Sequence, residues 1–209
     1  MRKLITEFIG TFFLVLVIGM DIIGGRGDLS PLAIGSVLMC MIFAGAYISG
    51  AHYNPAVTLA VLLRGRISLI NAINYMIVQV IGAIAAAALV KFLLSDKIPA
   101  SANEMASTLK SLIAETVGTF ALGYVVLNVA TAKGTTGNMF YGLSIGFTVL
   151  SMVYAFGSIS GGAFNPAVAV GISIMHLAAW NNLWVYLLGC SGGAALAALI
   201  FRINNPEDR

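Results

Sequence analysis

Hydrophobic residues form six long runs along the chain, at about residues 4–23, 32–49, 70–94, 110–131, 138–157 and 181–202. Each run approaches the roughly 20 residues that a helix needs to cross about 30 Å of hydrocarbon. Two shorter apolar stretches, at about 55–63 and 166–175, lie between the second and third runs and between the fifth and sixth. A helix of that length covers about 14 Å, or half a bilayer. The pattern predicts an all-α polytopic membrane protein with six transmembrane helices and two half-helices.

The composition agrees with this class and excludes several others. Hydrophobic residues make up 59% of the chain and charged residues 9%, with a mean hydropathy of +0.96, whereas a soluble domain carries about 25% charged residues. Cys40 and Cys190 both lie inside apolar runs. Cysteines in such runs are typical of small buried hydrophobic residues and not of a disulfide or a metal pair. The chain shows no nucleophile–base pair, phosphate loop or metal cluster. We therefore expect no enzyme, no cofactor and no metal.

The basic residues indicate how the chain is oriented. Six crossings put both termini on one side of the membrane, and the loops and tails of that side hold seven of the basic residues: Arg2, Lys3, Arg64, Arg66, Lys133, Arg202 and Arg209. Four lie in or near the other set of loops: Arg26, Lys91, Lys97 and Lys110. Cytoplasmic loops are enriched in Lys and Arg, so we expect cytoplasmic termini in a plasma (inner) membrane. The net charge of +3 requires no nucleic-acid partner.

Two segments of the chain occur twice. Residues 5–14 (ITEFIGTFFL) return as residues 113–122 (IAETVGTFAL), and residues 48–57 (ISGAHYNPAV) return as residues 159–168 (ISGGAFNPAV). Each copy holds three long runs and one short stretch, and an odd number of crossings inverts the second copy. We therefore divide the single transmembrane domain, residues 1–209, into repeat one (about 1–94), a linker (about 95–109) and repeat two (about 110–209).

The repeated Asn-Pro segments predict re-entrant loops that end in half-helices. Asn54 and Asn165 are suited to be N-caps, and Pro55 and Pro166 to be the first helical residues. Non-helical backbone at membrane depth is tolerated only inside protein or along a watery cavity. The inverted repeats bring the two half-helix N-termini together near the midplane, where their partial positive charges repel cations. The Asn amides are left to donate hydrogen bonds to a passing solute.

The glycines before each motif favour a row of carbonyl acceptors along the same path. Gly50, Gly161 and Gly162 tolerate the unusual dihedral angles that turn carbonyl groups inward. Donors and acceptors along a narrow path replace the hydration of a neutral solute while ions stay excluded. The loops are therefore expected to line a passive channel for water or a small uncharged solute.

The chain resembles the aquaporin (major intrinsic protein) family over nearly its whole length. The resemblance rests on two duplicated Asn-Pro-Ala motifs, Asn54-Pro55-Ala56 and Asn165-Pro166-Ala167, on Glu-x-x-Gly-Thr-Phe in runs one and four, and on Tyr75-x-x-x-Gln79-x-x-Gly82 in run three. It implies the aquaporin fold and a homotetramer in the lipid bilayer with one pore in each protomer.

Two acids and one histidine within these segments need an interpretation. Glu7 and Glu115 lie inside apolar runs, where an ionisable residue is a functional hypothesis by default. We expect them to accept hydrogen bonds from the re-entrant backbone instead of relaying protons, and the family reading agrees. The resemblance implies that His52 lines the pore, although a structural hydrogen bond is the alternative. His176 is expected at the surface or at a helix end.

The resemblance also locates an outer constriction, and there the chain departs from the family pattern. The arginine typical of the family falls at Val168, three residues after Asn165, and the other three positions fall at Ile34, Val153 and Gly162. Water-selective members typically carry an aromatic residue, a histidine and an arginine there. Divergent members, such as the small basic intrinsic proteins of plants, also lack the arginine. The departure leaves the fold prediction unchanged and opens the question of which solute passes.

Two other functions remain open from sequence. A secondary transporter can use the same inverted symmetry, but it needs a coupling-ion site, and Glu7 and Glu115 belong to separate repeats. A structural membrane protein that conducts nothing is the other alternative, and it predicts no flux.

Overall fold

The part of the chain that the structure describes forms eight α-helices, and six of them are long and apolar enough to cross a membrane. The computed structural model describes residues 1–25 and 27–208, so Arg26 and Arg209, two of the basic residues counted above, lie outside the described residues. The long helices are α1 (Arg2–Ile23), α2 (Ser30–Ser49), α4 (Leu69–Leu93), α5 (Thr108–Ala130), α6 (Tyr141–Ser160) and α8 (Leu183–Asn204). The half-helices are α3 (Pro55–Leu63) and α7 (Pro166–Ile174). The predicted fold class is confirmed, and the helix ends fall within a few residues of the predicted ones.

The largest shift concerns α6, which begins three residues later than predicted. Asn138 holds the preceding turn, because its Nδ2 donates to the carbonyl groups of Val129 at 2.6 Å and Thr135 at 2.7 Å. The helix then continues without interruption to Ser160 and ends at Gly161, whose φ of 90° favours glycine. α6 is therefore continuous from Val153 to the start of the second loop.

Glycines set the closest helix crossings, and the crossings occur in pairs related by the repeat. A Cβ added to Gly35 of α2 would lie 2.7 Å from the carbonyl oxygen of Gly146 in α6, and one added to Gly146 would lie 2.6 Å from that of Gly35. Gly82 packs α4 against Phe8 of α1, and Gly193 packs α8 against Thr116 of α5. Small residues let membrane helices approach closely, so these glycines bring α1 to α4 and α5 to α8 within the repeats, and α2 to α6 between the repeats.

Both ends of the chain lie on one face of the molecule, called the terminal face below. There Lys3 of α1 lines a cavity together with Arg66 and Lys133. The C-terminal tail reaches the same place: Asp208 Oδ1 lies 3.0 Å from a guanidinium nitrogen of Arg66, and the Lys133 amide donates to Asp208 Oδ2 at 2.7 Å. The tail therefore joins the α3–α4 and α5–α6 connections.

Candidate functional site

Two cavities meet inside the molecule between the repeats. One, of about 390 Å³, extends inward from the face opposite the termini. The other, of about 570 Å³, opens at the terminal face. His52 and Val126 line both cavities, so the two cavities adjoin at these residues and form one path.

Glu7 of α1 holds the first re-entrant loop, residues 50–54, in place. Its Oε1 accepts hydrogen bonds from Ser49 Oγ at 2.6 Å and from the His52 amide at 3.0 Å. Its Oε2 accepts from the Tyr53 amide at 2.7 Å and from Gln79 Nε2 at 2.8 Å. The side chain is fully buried, and an acceptor-only carboxylate suits four converging donors.

Glu115 of α5 does the same for the second loop, residues 161–165. It accepts from Ser160 Oγ at 2.6 Å and from the amides of Ala163 at 3.0 Å and Phe164 at 2.7 Å. Its fourth neighbour is Cys190 Sγ, at 3.7 Å from Oε2, a much weaker donor than the Gln79 amide. Both acids thus accept hydrogen bonds from loop backbone amides.

A tyrosine from the last long helix of each repeat fastens the start of each loop. Tyr75 of α4 donates its hydroxyl to the Ser49 carbonyl at 2.8 Å, and Tyr186 of α8 donates to the Ser160 carbonyl at 2.6 Å. The sequence analysis noted Tyr75 without giving it a role and missed Tyr186. Extending the repeat alignment by its offset of 111 residues beyond Tyr75 leads to Tyr186.

The residue before each Asn-Pro motif adopts a backbone conformation that side chains rarely take. Tyr53 has a φ of 50° and Phe164 a φ of 46°, which costs on the order of 1–2 kcal/mol for a residue with a Cβ. Two contacts offset this cost at each position. The backbone amide donates a hydrogen bond to the buried glutamate, and the aromatic ring packs directly against Gly10 or Gly118. The strained turn aims the next asparagine toward the opposite repeat.

Asn54 and Asn165 cap their half-helices and also tie the two loops together. Asn54 Oδ1 accepts from the Ala56 amide at 2.8 Å, and Asn165 Oδ1 accepts from the Ala167 amide at 2.9 Å. Each amide nitrogen donates across the repeat boundary, from Asn54 to the Phe164 carbonyl at 2.9 Å and from Asn165 to the Tyr53 carbonyl at 3.0 Å. An NH₂ group has a second hydrogen, and both asparagines line the cavity, so each has a second N–H group that these bonds do not use.

Six loop carbonyl groups accept no hydrogen bond from the part of the chain that the structure describes. They belong to Gly50, Ala51 and His52 in the first loop and to Gly161, Gly162 and Ala163 in the second. All six residues line one or both cavities. A carbonyl group beside a cavity that accepts no hydrogen bond from the protein is available to accept one from water or a solute there.

The two halves of the path differ in polarity. His52 Nδ1 and Gln79 Nε2 both lie 3.1 Å from Thr58 Oγ1, which itself donates to the Asn54 carbonyl at 3.0 Å. In the second repeat the positions equivalent to His52, Thr58 and Gln79 are occupied by alanine, alanine and cysteine: Ala163, Ala169 and Cys190. His52 therefore both lines the path and makes a structural hydrogen bond, and the polar network lies on the half toward the terminal face.

The four residues of the predicted constriction line one cavity, on the half away from the termini. Ile34 and Val168 are 5% and 4% exposed, and Val153 and Gly162 are half-buried beside them. None of the four carries a polar side chain, and their role in selecting a solute stays a prediction. Among residues 1–25 and 27–208, no three His, Cys, Asp or Glu side chains form a group that could hold a metal ion.

The linker contributes to the opening of the path on the face opposite the termini, which the sequence patterns do not predict. Asn103 lines the cavity there, and its carbonyl accepts from the Ala179 amide at 3.1 Å. His176 lies at the end of the second half-helix, half-buried, with Nδ1 3.0 Å from the Pro99 carbonyl oxygen. These bonds hold the linker against the α7–α8 connection.

Comparison with known proteins adds independent findings. The sequence model described as Major intrinsic protein matches residues 1–201. Glycerol uptake facilitator protein-like 6 from Lactiplantibacillus plantarum is 38% identical, with 100% of this chain and 100% of that protein covered. Aquaporin PIP2-4 from Oryza sativa subspecies japonica is 33% identical, with 97% of this chain and 81% of that protein covered. The X-ray structure of the aquaglyceroporin from Plasmodium falciparum superposes with a TM-score of 0.83 at 24% identity, over 99% of this chain and 97% of that one.

Proposed function

The chain belongs to the major intrinsic protein family and is a passive channel for water and small neutral solutes, and from that premise we propose that its pore favours a glycerol-like solute and excludes ions. Members of the family are channels and not enzymes. The finer proposal concerns which residues act on the solute and which solute passes.

Ion exclusion is assigned to the two Asn-Pro-Ala motifs. The half-helix N-termini at Pro55 and Pro166 carry partial positive charge, and the exchanged bonds of Asn54 and Asn165 hold them on either side of one path. A cation there meets two positive dipole ends and loses its hydration shell. A neutral solute meets two amide donors and the six open carbonyl acceptors.

Solute choice is assigned to the apolar constriction at Ile34, Val153, Gly162 and Val168. Arginine in that ring narrows the pore and offers donors in place of water, and Val168 does neither. Water loses hydrogen bonds in an apolar ring, and such narrowings can impede water by dewetting, whereas a polyol with hydrocarbon edges loses fewer bonds relative to its size. The glycerol uptake facilitator-like relative, 38% identical over the full chain, supports a polyol.

Orientation and assembly complete the proposal. We assign the terminal face to the cytoplasm of a plasma (inner) membrane, because the basic residues Lys3, Arg66 and Lys133 surround the cavity there. A membrane-impermeant maleimide should then label Ser101→Cys but not Asn204→Cys on intact cells, and the reverse result would contradict the orientation. The family resemblance supports a homotetramer, which native mass spectrometry can measure.

The experiment that tests the function is reconstitution in liposomes with separate uptake of water, glycerol, urea and hydrogen peroxide. We expect modest water flux, measurable glycerol flux and no ion current. Val168→Arg should suppress glycerol more than water, and Val168→Leu, which adds volume without charge, separates narrowing from charge. Rapid water flux with rejection of glycerol and urea would contradict the solute proposal. A steep temperature dependence of flux would favour an alternating-access carrier instead.

A further inference from the structure

Gly157 is a cavity-lining residue that the four-residue constriction does not include. It lies in α6 one helical turn after Val153 and lines the same cavity. A Cβ atom added to it would meet Val153 Cγ1 at 3.6 Å, an ordinary van der Waals contact, and no second side chain or facing backbone atom within 4 Å. The space in front of Gly157 is therefore cavity.

Helix packing does not account for this glycine. At Gly35 and Gly146 an added Cβ would come within 2.7 Å of a facing helix, so those positions need glycine for close approach. Gly157 faces no such neighbour, although glycine inside a helix destabilises it relative to alanine. What the missing side chain provides is volume in the path.

The second loop comes up to the same place. Gly162 has a φ of 65°, and a Cβ added to it would lie 3.3 Å from Gly157 Cα. Two residues without side chains therefore adjoin in one wall of the cavity, next to Val153. The carbonyl groups of Gly161 and Gly162, which accept no bond from the described protein, belong to the same stretch of wall.

We infer that Gly157 is a specificity-determining residue, which together with Gly162 makes the constriction wide enough for a small polyol. The polyol's hydroxyl groups donate to the loop carbonyls, while its carbon edge contacts Val153. The inference rests on the proposed function, since it explains how a glycerol-sized solute fits through an apolar ring.

The test is a side-chain series at Gly157 in the liposome assay. Gly157→Val should lower glycerol permeability roughly tenfold or more, the discrimination that one methylene supplies in an apolar site, and water permeability by a smaller factor. Gly157→Ala should fall between this variant and wild type. Gly192→Val is the matched control, because Gly192 also lies within a helix and has room for a side chain, with nothing within 4 Å of an added Cβ, but it lines neither cavity. The glycerol-to-water ratio of this variant should equal that of wild type.

The outcomes separate this inference from the proposed function. Wild-type liposomes that take up water but no glycerol would overturn both. Wild-type glycerol uptake with an unchanged glycerol-to-water ratio in Gly157→Val would overturn the role of Gly157 alone. Should Gly157→Val not reconstitute, Gly157→Ala decides, since one methyl group fits the space: an unchanged ratio overturns the inference, and a lowered ratio supports it.

Discussion

Arg64 and Asp208 form an ion pair at 2.7 Å across 144 residues of sequence, with side chains only 1% and 8% exposed. The Arg64 guanidinium also lies over the Phe201 ring, 4.5 Å from its centroid. Arg64 is the C-cap of the first half-helix, so the pair fastens the tail to the end of a pore-forming element. Asp208 also contacts Arg66 and Lys133, which line the cavity that opens at the terminal face, so the tail lies beside that opening.

The contact of Asp208 with Arg64, Arg66 and Lys133, called the tail contact below, should weaken as the pH falls. The Lys133 amide, and after it the guanidinium groups of Arg64 and Arg66, lower the pKa of Asp208 below its usual value. Because its pKa is lowered, the Asp208 carboxylate stabilises the folded protein fully above about pH 3.9, the pKa of Asp in the unfolded chain. This stabilisation is lost as the pH falls through the lower pKa of the folded state. Hydrogen exchange at the Lys133 amide, corrected for intrinsic rates, should rise on acidification below about pH 3.9. Asp208→Asn should show the fast exchange already at neutral pH.

Glu207→Gln is the control for the tail contact, because Glu207 contributes its backbone carbonyl, and not its side chain, to the contact with Lys133 Nζ. Equal exchange at Lys133 in wild type and Asp208→Asn would show that the tail contact does not form in the membrane.

Replacing either motif asparagine with aspartate should impair conduction or weaken cation exclusion. The capping oxygen survives, but the donor to the opposite loop is lost and a negative charge opposes the half-helix dipoles. Proteoliposome water flux and ion leakage measure both effects. Asn128→Asp is the control. Asn128 Nδ2 donates to the Tyr124 carbonyl at 2.8 Å, and Asn128 lines neither cavity. Unchanged flux and unchanged ion exclusion in Asn54→Asp and Asn165→Asp would remove the central role of the motifs.

Glutamine should replace Glu7 or Glu115 better than leucine does. Leucine leaves every loop donor unpaired at about 1–3 kcal/mol each, whereas glutamine keeps one acceptor oxygen. Glu7→Gln gains a further contact if the Gln79 amide reverses, because Gln79 Oε1 is buried without a partner in the described structure. Thermal midpoints in detergent should therefore rank wild type above glutamine and glutamine above leucine. Equal midpoints for the Gln and Leu variants would count against the anchoring role.

The neighbouring glycines Gly192 and Gly193 should respond oppositely to alanine. A Cβ at Gly193 would lie 2.7 Å from the Phe120 amide nitrogen and against other backbone atoms of α5, and such overpacking typically costs about 1–3 kcal/mol. A Cβ at Gly192 meets nothing within 4 Å, so alanine there should be neutral or stabilise the helix by about 0.5–1 kcal/mol. Thermal unfolding in the same detergent compares the two. A destabilised Gly192→Ala variant would contradict the packing assignment.

Local patterns were enough to predict the helices and the half-helix starts. Hydrophobic length marks each span, and Asn followed by Pro marks each N-cap, because the cap is a short-range interaction between Asn54 and Ala56. The acids were interpretable because a buried carboxylate needs donors, and each repeat offered one re-entrant loop with unpaired amides.

Contacts between distant segments were beyond the sequence patterns. Arg64 and Lys133 entered the sequence analysis only as charges that orient the chain, since nothing local links them to Asp208. The role of Gly157 could not be predicted from sequence, because a glycine that packs against a helix and a glycine that faces a cavity look alike in sequence. Asn103 lies at the opening opposite the terminal face because hydrogen bonds hold the linker to the α7–α8 connection.

The exchanged asparagine bonds have a consequence for biogenesis. Proteins are synthesised from the N-terminus, so Asn54 enters the membrane before Phe164, whose carbonyl it needs, has been made. Until then the side-chain amide of Asn54 lacks this partner. An unsatisfied polar group in hydrocarbon is costly. The first loop reaches its final form only after the second loop has inserted from the other side. Two separately expressed halves, divided in the linker, should each be short-lived in the membrane and should protect one another from degradation when made together.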